Sequence, residues 1–177
     1  MTANNSRILA LLSAILAAAV LRLVPHPPNF TPIGAMALFS GAYLGRRAIA
    51  FAAPLAAMLL SDALLGFYSG VWVTYLAVAA VVLIGSLTLA RRSVLRIGLA
   101  ALASSVTFFL ISNFGTWMLS GMYAHTAAGL ADCYVAAIPF FQNTVAGDLF
   151  YAALLFGGFG VVELLVPRVR AGAAQPA

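Results

Sequence analysis

The chain has 177 residues, 64% of them hydrophobic and 7% charged, with nine arginines, no lysine, four acidic residues and a formal net charge of +5. A soluble domain carries about 25% charged residues, so too few polar groups are present to coat a water-facing surface, and lipid is the expected solvent for much of the exterior. The arginines come singly or in twos with no basic face interleaved with aromatics, which argues against nucleic acid as a partner. The single cysteine, Cys133, excludes an internal disulfide framework, and no CxxC or Cys/His cluster has metal-site spacing.

Apolar windows near membrane-spanning length occur six times. The first runs from Ile8 to Val24 behind Arg7. It resembles a signal peptide, with Ala17-Ala18-Ala19 as a possible cleavage site, but hydrophobic segments continue to the end of the chain, so an uncleaved first span is expected. Pro25, Pro27 and Pro28 then stop the helix. The second segment, Thr31 to Gly45, is too short to span unless tilted or partly re-entrant. Ala48 to Phe67, Trp72 to Ala90, Ile97 to Leu119 and Thr144 to Val166 follow. Between the last two lies a long connection, Ser120 to Asn143, with an amphipathic, aromatic-rich stretch at Gly129 to Phe141. It reads either as a lid or binding loop or as a helix lying on the membrane surface.

Six crossings predict that alternate connections are basic. With a cytoplasmic N-terminus the inner segments hold Arg7, Arg46, Arg47, Arg91, Arg92, Arg96, Arg168 and Arg170, eight of the nine arginines. This is the positive-inside pattern, and it places both termini in the cytoplasm. Arg22 alone falls near an outer end, where it can snorkel or pair. The expectation is an all-α integral membrane six-helix bundle formed by residues 1–170, with a flexible C-terminal tail at 171–177.

This orientation separates chemistry as well as charge. The outer segments hold His26, Asn29, Asp62, Tyr68, Trp72, Tyr75, Asn113, Trp117, Tyr123, His125, Asp132, Cys133, Tyr134, Gln142, Asn143 and Asp148. Tyr68, Trp72 and Tyr123 fit an ordinary aromatic belt. Asp62 and Asp148 do not, because each sits inside a hydrophobic run, where an unpaired carboxylate is costly. Two readings stay open for them: an ion pair with Arg22, or a ligand-facing role. His125 reads as a surface or capping residue, and Cys133 as a small buried hydrophobe.

No GxSxG, HExxH or phosphate-binding glycine loop is present, and Gly157-Gly158-Phe159-Gly160 lacks the Lys and Ser/Thr of a nucleotide site. The chain therefore reads as a non-enzyme without a cofactor of its own. Ala10, Ala14 and Ala18 form a small-xxx-small stripe on the first span, suited to close helix packing inside the protein or to docking a partner.

Several segments resemble a known family. Arg22-Leu23-Val24-Pro25, Asn29-Phe30-Thr31-Pro32-Ile33-Gly34-Ala35, Leu38-Phe39-Ser40-Gly41-Ala42-Tyr43-Leu44-Gly45 and Leu60-Ser61-Asp62-Ala63-Leu64-Leu65-Gly66 are similar to the substrate-binding S components of energy-coupling factor (ECF) vitamin transporters. Ser112-Asn113-Phe114-Gly115-Thr116-Trp117 and Cys133 to Thr144 bring the chain closer to a bacterial branch of S-component-like membrane proteins. The resemblance covers nearly the whole chain.

It implies a six-helix membrane fold in a bacterial inner membrane that captures a vitamin from the outer side. It also implies delivery on a transmembrane coupling protein driven by two cytoplasmic ATPases, contacted through the first-helix pattern that Ala10, Ala14 and Ala18 match. Some cobalamin-type relatives act alone and bind cobalt through a cysteine thiolate. Here Tyr75 stands where such a ligand is sought and the only cysteine is Cys133, so cobalamin is one candidate ligand and no metal site is assigned.

The expected function is capture of a small vitamin-like molecule, as a transporter subunit or a solitary transporter. His26, Asn29, Phe30, Asp62, Tyr75, Asn113, Trp117, Tyr134, Phe141, Asn143 and Asp148 are the candidate binding residues, placed between the prolyl loop and the long connection. The alternatives are a scaffold subunit whose outer loop binds a protein, and a membrane enzyme using His26, His125 and the outer carboxylates.

Overall fold

The structure is a computed structural model, and it describes residues 3–170; the expected tail at 171–177 lies outside them. Six helices form along the chain: α1 (Ala3–Leu21), α2 (Ile33–Leu44), α3 (Ala48–Leu65), α4 (Val71–Thr88), α5 (Val94–Leu119) and α6 (Ala127–Leu165), followed by a 3-10 turn at Pro167–Val169. Five of them are long and apolar enough to cross a membrane, with mean hydropathy from 1.6 to 2.1 over their best windows. No strand occurs among the described residues.

The helices expose their large apolar residues. Leu60, Leu64, Leu87, Leu95, Leu99, Leu154 and Leu164 are each half or more exposed, an arrangement that lipid solvates and water does not. The interior sets small residues among large ones, with Ala35, Ala37, Ala50, Ala77 and Ala101 almost fully covered beside Leu11, Met36, Leu38 and Phe39. Small side chains let the helix backbones approach, which is the usual basis of packing where no hydrophobic effect separates inside from outside.

The short second segment is the centre of the bundle. At 12 residues, α2 is roughly 18 Å long, short of the roughly 30 Å hydrocarbon core. Ile33 through Gly41 are buried without interruption. Its closest neighbour is α4, and glycine sets the distance: a Cβ on Gly41 would collide with the Val82 carbonyl, and one on Gly85 with the Leu38 carbonyl. Phe39 and Tyr43 of α2 continue the core toward α6, their rings 5.3 Å and 5.8 Å from that of Phe156.

The connection between α5 and α6 departs from expectation. The long loop over Ser120–Asn143 is absent: the chain turns within residues 120–126, and helix runs unbroken from Ala127 through Pro139 to Leu165. The Thr126 hydroxyl starts it by accepting the Gly129 N–H at 3.1 Å. The stretch expected to lie on the membrane surface packs along α5 instead. The Tyr134 hydroxyl donates to the Leu110 carbonyl at 2.6 Å, and the Phe109 ring sits 5.5 Å from Tyr134 and 4.7 Å from Phe141. With 39 residues, α6 is roughly 58 Å long, well beyond one bilayer core.

Helix order gathers Arg7, the α2–α3 turn, the α4–α5 turn and the end of α6 at one end of the bundle. That end is tied shut. Arg7 pairs with Glu163 at 2.6 Å and also donates to the Val169 carbonyl. Arg92 lies 4.4 Å over the Tyr43 ring and donates to the Ala42 carbonyl at 3.0 Å. Arg170 donates to the Glu163 and Leu164 carbonyls, satisfying acceptors that a helix C-terminus leaves unpaired.

Candidate functional site

The opposite end is open. Residues from the α1–α2 loop, the α3–α4 turn, α4, α5 and α6 surround a cavity of about 580 Å3, within the usual range for small-molecule sites. Of its lining residues Ser69, Ser120 and Met122 are exposed, and Ile33, Gly34 and Asp148 are buried.

The prolyl loop supplies one wall. Three prolines bar helix between residues 25 and 28, and the chain reverses where Phe30 N–H donates to the Pro27 carbonyl at 3.0 Å. Asn29 takes φ +62° there, a backbone region that asparagine tolerates better than most residues. Asn143 of α6 holds the loop by donating Nδ2 to the Pro28 carbonyl at 2.9 Å. His26 and Asn29 line the cavity, and His26 Nδ1 lies 3.0 Å from the Pro27 carbonyl.

Helix α5 supplies the second wall through a repeat of four residues. Phe108, Ser112 and Thr116 lie on one face and all line the cavity, with Phe109 and Asn113 beside them. Asn113 donates one Nδ2 hydrogen to the Phe109 carbonyl at 2.8 Å, and its amide group carries a second N–H and an acceptor oxygen besides. Gly115 makes room for α4, since a Cβ there would meet the Val73 side chain at 2.5 Å. From α4, Thr74 reaches the cavity beside Tyr68, whose hydroxyl is in hydrogen-bond contact with it.

The two carboxylates within hydrophobic runs have different partners. Asp62 is 1% exposed. Its Oδ1 pairs with Arg22 at 2.6 Å and its Oδ2 accepts the Tyr75 hydroxyl at 2.8 Å. Arg22 also donates to the Ser61 hydroxyl, so one guanidinium ties the start of the α1–α2 loop to α3 while still lining the cavity. The ion-pair reading therefore holds for Asp62.

Asp148 instead meets the start of α2. Pro32 offers no side-chain cap, and the carboxylate of Asp148 lies against Gly34 so closely that any Cβ would collide with it. It takes the Ala35 backbone N–H and the Ser105 hydroxyl at 2.6 Å. A negative group is favoured there by the unpaired N–H groups and the positive end of the helix dipole.

Of the residues singled out in the sequence, His26, Asn29, Asn113 and Asp148 come together around the cavity. Asp62 and Tyr75 stand behind Arg22, and Phe30 packs on Phe150 and Tyr151 at 5.7 Å and 5.6 Å. Trp117 donates its indole N–H to the Ala124 carbonyl at 2.9 Å and meets the His125 ring edge-on, closing the α5–α6 turn. Tyr134 and Phe141 bracket Phe109 from α6. Cys133 is buried, its thiol 3.5 Å from the Asn113 carbonyl. Among the described residues no three His, Cys, Asp or Glu side chains gather as a metal site would need.

Ser105, Phe108, Ser112, Thr116 and Thr144 were not singled out. The four-residue spacing of Phe108, Ser112 and Thr116 is a legible signal for a polar face on a membrane helix; the Ser105–Asp148 contact has none, since it depends on how α5 and α6 register.

Ala10, Ala14 and Ala18 lie together along an apolar groove of about 520 Å3 between α1 and α6, facing Leu154, Gly158 and Val162. No curated protein and no solved structure matches the chain. A family model matches residues 2–169, and the chain belongs to that family, DUF6580, a family of unknown function.

Proposed function

We propose that the protein is a membrane substrate-capture subunit or solitary transporter that takes a small vitamin-like molecule from the extracytoplasmic side of a bacterial inner membrane. The observation that carries the reading is the cavity itself. It has the volume of a compact ligand, opens at the end away from every arginine but Arg22, and mixes aromatic walls with amide, hydroxyl, imidazole and carboxylate groups. Arg22 paired by Asp62, the prolyl loop held by Asn143, and α2 met by Asp148 give it a preorganised frame.

The orientation follows from the arginines: the closed, basic end faces the cytoplasm and the cavity faces outward. That polarity, the short central helix and the sequence resemblance support an ECF S-component-like role. The groove beside Ala10, Ala14 and Ala18 is then the docking face for a transmembrane coupling protein with cytoplasmic ATPases. The cavity volume favours a compact ligand over a whole corrinoid, although cobalamin belongs to the same class of cargo.

Native mass spectrometry of the full chain, purified in mild detergent, tests the proposal. One small molecule retained per chain is the expected result. A chain that carries none, and takes up none from a panel of water-soluble vitamins, would leave the capture reading without support.

A further inference from the structure

The chain has four acidic residues, and three have a plain structural account. Asp62 pairs with Arg22 and Glu163 with Arg7, each at 2.6 Å, while Asp132 is exposed. Asp148 is 3% exposed, yet no arginine or histidine forms an ion pair with it among the described residues. Its partners are neutral, the Ser105 hydroxyl and the Ala35 N–H. The start of α2 offers about half a positive charge, so an ionised Asp148 has no full counter-charge among the described residues. This carboxylate lines the cavity.

The remaining lining fits the same sign of ligand. Arg22 has its charge taken by Asp62, so His26 is the only other ionisable nitrogen facing the space. Tyr68, Phe108, Phe109 and Phe140 contribute aromatic rings, whose faces attract cations most strongly where water is excluded. One carboxylate among aromatic rings is the chemistry that holds an alkylated ammonium or a positively charged heteroaromatic ring. It is poor chemistry for a bare metal ion, which needs several oxygen or nitrogen ligands.

We infer that the cavity selects an organic cation, with the ligand's positive charge set against Asp148 and its body against the aromatic walls. This rests on the capture reading and names the class of molecule captured. Gly34 belongs to the design, because only a residue without a side chain lets the carboxylate sit between the start of α2 and the cavity.

The test uses the full chain in a neutral maltoside detergent and isothermal titration calorimetry. The probes are 1-methylnicotinamide, choline and thiamine as cations, with nicotinamide and nicotinate as the neutral and anionic counterparts of the first. The expected result is a cation bound one per chain, about tenfold or more tighter than nicotinamide or nicotinate, and weakened about tenfold or more in Asp148→Asn. Because Asp148→Asn can also loosen α2, the wild-type chain is separately treated with dicyclohexylcarbodiimide. Peptide mass spectrometry should then show Asp148 modification slowed by the bound cation.

Cations that bind no better than the neutral and anionic probes, that bind Asp148→Asn equally well, or that leave Asp148 unprotected would overturn the inference. A neutral or anionic compound bound one per chain in place of the cations would do so while leaving the capture reading standing. No binding by any probe, together with no co-purified molecule, would remove both.

Discussion

Replacing Arg22 by methionine should destabilise the bundle far more than loss of a surface charge does. Arg22 reaches Asp62 at 2.6 Å, with the two side chains 13% and 1% exposed, and among the described residues the Tyr75 hydroxyl is the only other side-chain partner of that carboxylate. Removing one member of a buried pair costs about 3–5 kcal/mol, because the other charge is left without compensation. Removing both charges with well-packed apolar residues costs little by the same reasoning. Arg22→Met should therefore lower stability by about 3–5 kcal/mol, whereas Arg22→Met with Asp62→Leu should return to within about 1 kcal/mol of wild type. Asp62→Leu alone should cost less than Arg22→Met, since the guanidinium can turn toward the open cavity. Titration with sodium dodecyl sulfate in mixed micelles, followed by circular dichroism, measures all four corners of the cycle. Additive losses in the double variant would refute the pairing argument.

Three further predictions follow from particular contacts. Gly41→Ala and Gly85→Ala each drive a Cβ into a backbone carbonyl of the facing helix and should each lose about 1–3 kcal/mol; Gly157→Ala, with open space around it, should be neutral or slightly stabilising in the same titration. Tyr75→Phe removes one hydrogen bond to a buried carboxylate and should cost about 1.5–3 kcal/mol, a loss that should vanish in an Asp62→Leu background. In a Cys133→Ala chain, a cysteine at Ser69 should react with a membrane-impermeant maleimide in intact cells, while a cysteine at Arg46 should react only after permeabilisation; the reverse pattern would invert the orientation.

Five of the six helices were legible in the sequence because a membrane span announces itself by length and hydropathy. Ala48–Leu65 and Val71–Thr88 end within two residues of the windows read from composition. The short segment after the prolyl loop was legible too, but not its place at the centre of the bundle. That depends on Gly41 and Gly85 meeting the backbone of the facing helix, and neither glycine has a local signature.

The first part of α6 was misread for a physical reason. Asp132, Gln142 and Asn143 lower its hydropathy, so a window tuned to lipid starts after it and leaves the stretch as a lid loop or a surface helix. The stretch is helical because it packs on α5 through Tyr134 and Phe141. For the site, the one-sided distribution of polar residues pointed to the end of the bundle where the cavity opens, and His26, Asn29, Asn113 and Asp148 among them line it. It did not distinguish residues that face the cavity from residues, such as Asn143 and Tyr134, that hold its walls.

The central claim is that the cavity is a ligand site, and filling it tests that most directly. Ser112 and Thr144 both line it, and tryptophan at either position should occupy part of its space without touching the Arg22–Asp62 pair. Native mass spectrometry of wild type, Ser112→Trp and Thr144→Trp, purified alike, should find one small molecule per wild-type chain and none on variants that keep the wild-type unfolding midpoint. The same molecule retained equally by all three chains would contradict the account.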